Sequence, residues 1–261
     1  SWCFLKFSKE AAIGIILFSI FIYFGLTNMP WLPLILIYGL IGFKIGGLKL
    51  SLTIIASFLF ITFTGVLPQA LLSIYLCGIA VIISFILGSS LGIWAAHNDK
   101  VSAFMRPIND TMQTMPSFVI LIPFVMFFGI GEFTALLAII AYAFVPAMRY
   151  TEHGLRNLPE TVIEAAQMIG CSQTQLLWKV KIPLAMPVIM LGLNQTIMFG
   201  LAMLVIAALV GTTGLGQLIY IGLSKADFGT GMISGVSIAL IAIIFDRTTQ
   251  AWRIKLEKKT Q

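Results

Sequence analysis

Charged residues are scarce in this chain. Asp, Glu, Lys and Arg make up 10% of its 261 residues, while hydrophobic residues make up 59%. A soluble globular domain carries roughly a quarter charged residues, so this scarcity excludes that class and predicts a polytopic membrane protein. Because basic residues concentrate in the short cytoplasmic loops of such proteins, we interpret the net charge of +6 as membrane topology. Nucleic acid is therefore not an expected partner.

Residues able to catalyse a reaction or bind a metal are also few. The sequence has no Gly-Lys dipeptide and hence no G-x-x-x-x-G-K-[ST] phosphate loop. Its two histidines, His97 and His153, lie at predicted span ends without metal-ligand spacing, and its three cysteines are scattered. We expect no catalytic residue, metal or cofactor in this chain, so ATP and Mg would be bound by another subunit. The histidines are expected to be interfacial polar residues, with pH sensing as the alternative.

Eight hydrophobic segments have the length and hydropathy of membrane spans. They cover approximately residues 11–27, 31–43, 50–66, 70–96, 117–129, 133–148, 184–210 and 232–245. The sequence therefore predicts an all-α polytopic membrane protein with about eight transmembrane helices. The segments 31–43 and 117–129 are short for a hydrocarbon core of ~30 Å, and the first could be re-entrant. Lys6 and Lys9 precede the first segment as in a signal sequence, but no A-x-A cleavage site follows, so we expect a retained span.

The basic residues divide unevenly between the two sides of the membrane. If the N-terminus is cytoplasmic, Lys225 alone lies outside. The cytoplasmic bases are then Lys44, Lys49, Lys100, Arg106, those from Arg149 to Lys181, and the tail bases Arg247, Arg253, Lys255, Lys258 and Lys259. This partition predicts that both termini and the loop 157–183 are cytoplasmic.

The loop 157–183, NLPETVIEAAQMIGCSQTQLLWKVKIP, is the longest interval that is too polar to span a membrane. Pro159 suits the first turn of a helix, and Gly170 can adopt the left-handed conformation that ends one. Ser172 and Gln175 have the spacing of a capping box that begins the next helix. The pattern predicts two short helices that meet at a corner.

Apolar side chains are numerous in this loop. They are Ile163, Met168, Leu176, Leu177 and Trp178. These are too many for a solvated loop, which indicates that they fill a partner's groove. The alternative is an amphipathic helix that lies on the membrane surface.

The spacing of Glu164-Ala165-Ala166, Gly170 and Val180-Lys181-Ile182-Pro183 resembles the EAA loop of ABC-importer membrane subunits. That family pattern reads E-A-A, three residues, G, nine residues, I-x-L-P. Val180 and Ile182 replace the Ile and the Leu of the pattern, and both replacements are aliphatic.

Two longer stretches narrow the resemblance. The stretch 112–131, MQTMPSFVILIPFVMFFGIG, and the stretch 181–211, KIPLAMPVIMLGLNQTIMFGLAMLVIAALVG, resemble permeases of the glycine betaine/proline betaine/choline type. The likeness covers most of residues 70–250. It implies an importer-type five-helix core at 70–250, N-terminal extra transmembrane helices at 1–69, and a basic cytoplasmic tail at 251–261.

The resemblance implies the membrane subunit of an ATP-driven, binding-protein-dependent importer for betaine-like or other quaternary-ammonium osmolytes in a bacterial inner membrane. Its partners would be two ATPase subunits, a second permease copy or close relative, an extracytoplasmic solute-binding protein, and membrane lipid. Carried onto this sequence, contact with the ATPase falls on Glu160, Glu164, Ala165, Ala166, Gly170 and Pro183.

Polar and soft residues near and within two spans are candidates for a translocation path. They are Gln113, Met115, Pro116, Asn194, Gln195 and Met198. An amide in hydrocarbon is costly unless it contacts a partner helix or water. The alternatives are that the amides join helices and that the methionines are plain packing residues.

A third group of candidates lies on the predicted outer side. They are Glu132, Gly214, Gly216, Lys225 and Asp227. The glycines would let a binding protein approach the backbone, and the charges would surround the mouth of the path. A simple loop is the alternative.

The competing function is a stand-alone secondary transporter or channel, which would couple ions through intramembrane charges. Asp110 and Glu132 are its nearest candidates, although both lie at span ends. The sequence leaves the osmolyte open among glycine betaine, proline betaine, choline, carnitine and trimethylamine N-oxide. It also does not decide whether the permease forms a homodimer or a heterodimer.

Overall fold

The computed structural model describes Gly25 and residues 30–260 of the chain. Within these residues the fold is helical and contains no strand, which confirms the all-α prediction. The helices in order are α1 (Trp31–Phe63), α2 (Leu67–His97), α3 (Asp99–Thr114), α4 (Ser117–Phe128), α5 (Glu132–Arg156), α6 (Glu160–Met168), α7 (Gln173–Val210), α8 (Leu215–Ser224) and α9 (Phe228–Thr260). The predicted span 11–27, apart from Gly25, lies outside the described residues.

Five of these helices, α1, α2, α5, α7 and α9, are long and apolar enough to cross a membrane. A sixth span results if α3 and α4, which are bent by 104° relative to each other, are counted as one broken span. The predicted number of about eight spans is therefore not confirmed.

Helix α1 is a hairpin rather than one straight rod. Gly47, with φ 75° and ψ −165°, breaks it into two limbs. The limbs pack against each other, since Ser51 Oγ donates to Gly39 O at 2.8 Å and a Cβ on Gly42 would lie 2.5 Å from Ile54 Cδ1. They match the predicted segments 31–43 and 50–66. By length and composition α1 is counted as one span, but its two limbs fold back on each other, so it does not cross as a single rod.

The centre of the fold is the packing of α2, α5 and α7. Small residues four apart on α2 allow the α5 backbone to approach closely. A Cβ on Gly88 would lie 2.6 Å from Ala147 Cβ, and one on Gly92 would lie 2.6 Å from Met148 O. Ser84 Oγ, on the same face of α2, donates to Ile140 O at 3.2 Å. Helix α9 packs against α7 and against α1.

The predicted span 117–129 corresponds to α4, which has only 12 residues. At 1.5 Å per residue it is about 18 Å long, too short to cross a bilayer alone. Helix α3, which precedes it, was not predicted from the sequence because its mixed polar composition is typical of a loop. Met115 and Pro116 lie at the bend between them.

The second helix of the predicted corner is not short, contrary to the prediction. Helix α7 begins at Gln173, passes through a π-helical segment at Leu176–Lys181, and continues as an α-helix through Ile182–Ala207. The π segment ends just before Pro183, which has no N–H to donate and whose ring would clash with a normal i−4 carbonyl. The loop is thus joined to the membrane span by a continuous helix.

Candidate functional site

The corner between α6 and α7 is held by backbone hydrogen bonds. Gly170 has φ 88°, its N–H donates to Gln167 O at 2.9 Å, and the N–H of Cys171 donates to Ala166 O at 3.2 Å. These two bonds form a Schellman motif, which satisfies carbonyls at the end of α6. The prediction that Gly170 ends the helix in a left-handed conformation is confirmed.

The start of α7 is fixed by its own side chains. Ser172 N–H donates to Gln175 Oε1 at 3.0 Å, and Gln175 N–H donates to Ser172 Oγ at 3.3 Å. The predicted capping box is therefore confirmed. Only four residues lie between α6 and α7, and hydrogen bonds at both helix ends fix the angle of the corner.

The corner presents an apolar surface that the described chain leaves open. Met168, Ile169 and Trp178 are 89%, 84% and 62% exposed. Glu160 and Glu164, one turn apart, are exposed as well. Leu176, by contrast, is 1% exposed, so the expectation that it contacts a partner is wrong: it packs inside this chain.

The other candidate contact residues differ in exposure. Ala165, Gly170 and Pro183 are exposed, whereas Ala166 is half-buried. We use the name coupling corner for residues 160–178 from here on.

An ion-pair cluster ties the base of the coupling corner to three helices. Arg156, the last residue of α5, contacts Asp99 Oδ1 at 2.8 Å and Glu152 Oε1 at 3.0 Å. It also donates to Ala95 O at 2.7 Å at the end of α2. Ser102 Oγ of α3 donates to the same Glu152 oxygen at 2.5 Å. These contacts join the ends of α2, α3 and α5 just before the chain enters α6. The sequence showed these residues only as scattered charges.

A cavity of about 610 Å³ opens beside this cluster. Arg149 pairs with Asp110 at its edge, which joins α5 to α3 a second time. His153 also lines the cavity, and its ring contacts the Asn157 side chain. Asp110, a candidate acid of the competing function, is therefore already paired and is 65% exposed.

The candidate path residue Asn194 takes part in a polar network between α7 and α9. Its Nδ2 donates to Asp246 Oδ1 at 2.9 Å, and its Oδ1 accepts from Thr249 Oγ1 at 2.6 Å. Gln250 Nε2 donates to the same Asp246 oxygen at 2.7 Å. This geometry favours the alternative in which Asn194 joins two helices. Asp246 and Thr249 were not recognised as partners because their contact spans more than 50 residues of sequence.

The other path candidates lie on two separate elements. Gln113 and Pro116 are exposed and Met115 is half-buried at the bend between α3 and α4. Gln195 and Met198 are half-buried on α7.

The outer candidates are mostly engaged within the chain. Thr213 Oγ1 donates to Glu132, and Leu215 N–H donates to Ser73 Oγ at 2.8 Å. Gly214 and Gly216 are buried, so their close approach is to this chain's own helices and not to a binding protein.

The remaining outer candidates, Lys225 and Asp227, are exposed at the turn between α8 and α9. Thr230 donates its hydroxyl at 2.6 Å and its N–H at 3.2 Å to the Asp227 carboxylate. These hydrogen bonds, first from the side chain and then from the backbone, lower the pKa of Asp227 below its usual value. The Asp227 carboxylate therefore caps the start of α9.

Comparison with protein families gives a match over residues 88–253 to the family described as "Binding-protein-dependent transport system inner membrane component". The chain is 39% identical over 226 residues to the glycine betaine/proline betaine transport system permease protein ProW of Escherichia coli (strain K12). This match covers 87% of the chain and 64% of ProW. It is 37% identical over 237 residues to the glycine betaine transport system permease protein OpuAB of Bacillus subtilis (strain 168). That match covers 91% of the chain and 83% of OpuAB. The chain therefore spans less than two thirds of ProW but most of OpuAB.

Among solved structures, the chain resembles inward-facing conformations of the MetNI methionine ABC transporter. The CY5 native crystal form gives a TM-score of 0.64 at 18% identity, over 73% of this chain and 95% of that one. The CY5 SeMet soak form gives a TM-score of 0.61 at 20% identity, over 73% and 94%. At such identities the likeness concerns the fold alone.

Proposed function

The chain belongs to the family of binding-protein-dependent transport system inner membrane components, and from this premise we propose that it is the membrane subunit of an ATP-driven importer for betaine-like or other quaternary-ammonium osmolytes. Its apolar helices and the family description indicate a multi-pass inner-membrane protein. Relatives at 37–39% identity are named as glycine betaine permeases. Residues 70–250 would be the permease core, with residues 1–69 as an addition to it and a basic tail at 251–261.

The observation that carries this proposal is the coupling corner. Three large apolar side chains with two acids beside them project from a turn fixed at both ends. Apolar groups that are held rigidly outside a fold are typical of a docking surface. An ATPase subunit with an apolar groove rimmed by basic residues would match this surface, and ATP and Mg would be bound there.

Two helices would transmit ATPase movement into the membrane. Helix α5 ends at Arg156, four residues before the coupling corner, where it is joined to α3 and α2, and α7 leaves the corner without interruption. Movement of the corner would therefore rotate α5 and α7 as rigid bodies between two packed arrangements. The translocation path would lie on the axis shared with a second permease copy or close relative. It would alternate between inward-facing and outward-facing states.

The cargo contacts remain a proposal. Gln113, Met115 and Pro116 at the α3–α4 bend, with Gln195 and Met198 on α7, would line the path near that axis. A solute-binding protein would dock on the outer side, where Glu132, Lys225 and Asp227 lie. Both termini would be cytoplasmic.

Reconstitution in liposomes tests the proposed function. We expect radiolabelled glycine betaine to enter only when the chain is assembled with its ATPase subunits, ATP and binding protein, because this chain has no P-loop. The matched control is the same complex with a non-hydrolysable nucleotide. Ion-driven uptake by the chain alone would contradict the proposal and would favour a secondary transporter that uses Asp110 or Glu132.

A further inference from the structure

A groove of about 510 Å³ lies where the turn of the α1 hairpin meets α9. The two elements are in direct contact there. Lys255 Nζ donates to Lys44 O at 2.5 Å, and a Cβ on Gly46 would lie 3.3 Å from Ala251 Cβ. The groove is therefore a fixed feature of the fold and does not depend on a partner subunit.

Two exposed basic side chains line this groove. Lys49 from α1 and Arg247 from α9 both line it, and neither forms an ion pair with any residue that the structure describes. The nearest acid along α9, Asp246, accepts hydrogen bonds from Asn194 on α7 and from Gln250. The groove thus presents two exposed positive charges that no described residue of the chain pairs with.

The remaining lining of the groove is mixed, with polar Thr53 and Gln250 beside the apolar Leu50, Ile243, Ala251 and Ile254. Leu50 lies buried at its base, and Ile243 is 44% exposed on α9, one turn before Arg247. An exposed apolar side chain, Ile243, therefore lies one turn from the charge of Arg247 on α9.

The position along α9 places the two charges at the membrane boundary. From Phe228 to Arg247 the helix rises about 29 Å at 1.5 Å per residue, which matches a hydrocarbon core of ~30 Å. Trp252, about one turn beyond, is 49% exposed. Half-exposed tryptophans mark the headgroup level of membrane proteins.

From these observations we propose that the groove binds the phosphate of an anionic phospholipid. Lys49 and Arg247 contact the phosphate, and one acyl chain follows the exposed Ile243 toward the membrane centre. Basic pockets between membrane helices bind such headgroups. A lipid in this site joins the α1 hairpin to α9, which itself packs on α7 below the coupling corner. The proposal does not depend on the importer function.

Native mass spectrometry of the purified chain, equilibrated with equal amounts of phosphatidylglycerol and phosphatidylcholine in detergent, tests this site. We expect the wild type to retain phosphatidylglycerol in preference. The double variant Lys49→Gln/Arg247→Gln should bind phosphatidylglycerol about thirtyfold more weakly. Each base near an anionic membrane surface contributes about 1 kcal/mol to lipid binding, and the loss of two such contributions corresponds to about thirtyfold in affinity.

Two control variants keep the test specific. Lys100→Gln/Lys179→Gln removes two exposed bases that do not line the groove, and it should retain phosphatidylglycerol as the wild type does. Lys49→Arg/Arg247→Lys keeps both charges and should also retain the lipid, which separates loss of charge from loss of fold. Equal retention by the Gln double variant and the wild type would overturn the proposal. If the wild type retained phosphatidylcholine as well as phosphatidylglycerol, the proposal would also be overturned. Displacement of phosphatidylglycerol by millimolar inorganic phosphate would overturn it in favour of a free-anion site.

Discussion

At the scale of single residues, Gly170 determines the shape of the coupling corner. Its φ of 88° lies in the left-handed region, and a Cβ there would meet no atom within 4 Å. A side chain at this position would therefore cost about 1–2 kcal/mol through backbone conformation and not through a clash. A substitution at Gly170 therefore tests the backbone conformation of the turn without disturbing side-chain packing.

Gly170→Ala should lower ATP-driven uptake severalfold in the reconstituted complex, because the turn would shift toward conformations that misplace α6 relative to α7. Gly170→Asn is the matched control, since Asn tolerates the left-handed region and should keep most of the uptake. Both variants should insert normally into the membrane. If Ala and Asn reduced uptake equally, the conformation of the turn would not be what the corner requires.

Local chemistry explains which residues could be predicted from the sequence. The Gly170 cap and the Ser172–Gln175 box are bonds between residues three to five apart, so the sequence contains both partners. The burial of Leu176 and the pairing of Asn194 with Asp246 depend on distant helices, and a single sequence does not reveal them.

At the scale of helices, the close packing of α2 on α5 forms the rigid part of the fold. Gly92 lies where a Cβ would be 2.6 Å from Met148 O, a backbone atom that cannot move without moving α5. Gly78, on the same helix, has no atom within 4 Å of its Cβ position. The two glycines therefore provide a matched pair.

Gly92→Ala should lower the free energy of unfolding by about 1–3 kcal/mol, because the added methyl group forces the two helices apart. Gly78→Ala should be neutral or slightly stabilising, since Ala restricts the unfolded chain and meets open space. Denaturant unfolding of the purified protein in detergent measures both. Equal destabilisation by the two substitutions would contradict the close packing of α2 on α5.

Helix boundaries were predicted less well than helix identity. The hydrophobic segments 70–96, 133–148 and 232–245 correspond to α2, α5 and α9, because long apolar runs have one structural solution in a membrane. The continuity of α7 was missed because Pro183 is normally a helix breaker, and the π-helical segment before it accommodates the proline.

At the scale of the whole molecule, the fold connects the exposed coupling corner to the packed helices α2, α5 and α7. The ion pairs of Arg156 join three helix ends at the base of the corner, and α7 connects its other end to the membrane. Met168 and Ile169, which this corner leaves exposed, are the side chains on which we propose that a separate ATPase subunit docks.

The most direct test of this account is affinity purification of the tagged chain from its native membrane in mild detergent, with the co-purified proteins quantified by mass spectrometry. We predict that an ATPase subunit accompanies the wild type and that Met168→Asp lowers its recovery about tenfold or more, because burying that side chain in a partner is worth more than 1.4 kcal/mol. Leu223→Asp, which alters an equally exposed apolar residue on α8, should leave recovery unchanged. Recovery of the ATPase in equal amounts with Met168→Asp, or of a transport-competent chain without any ATPase, would contradict the account.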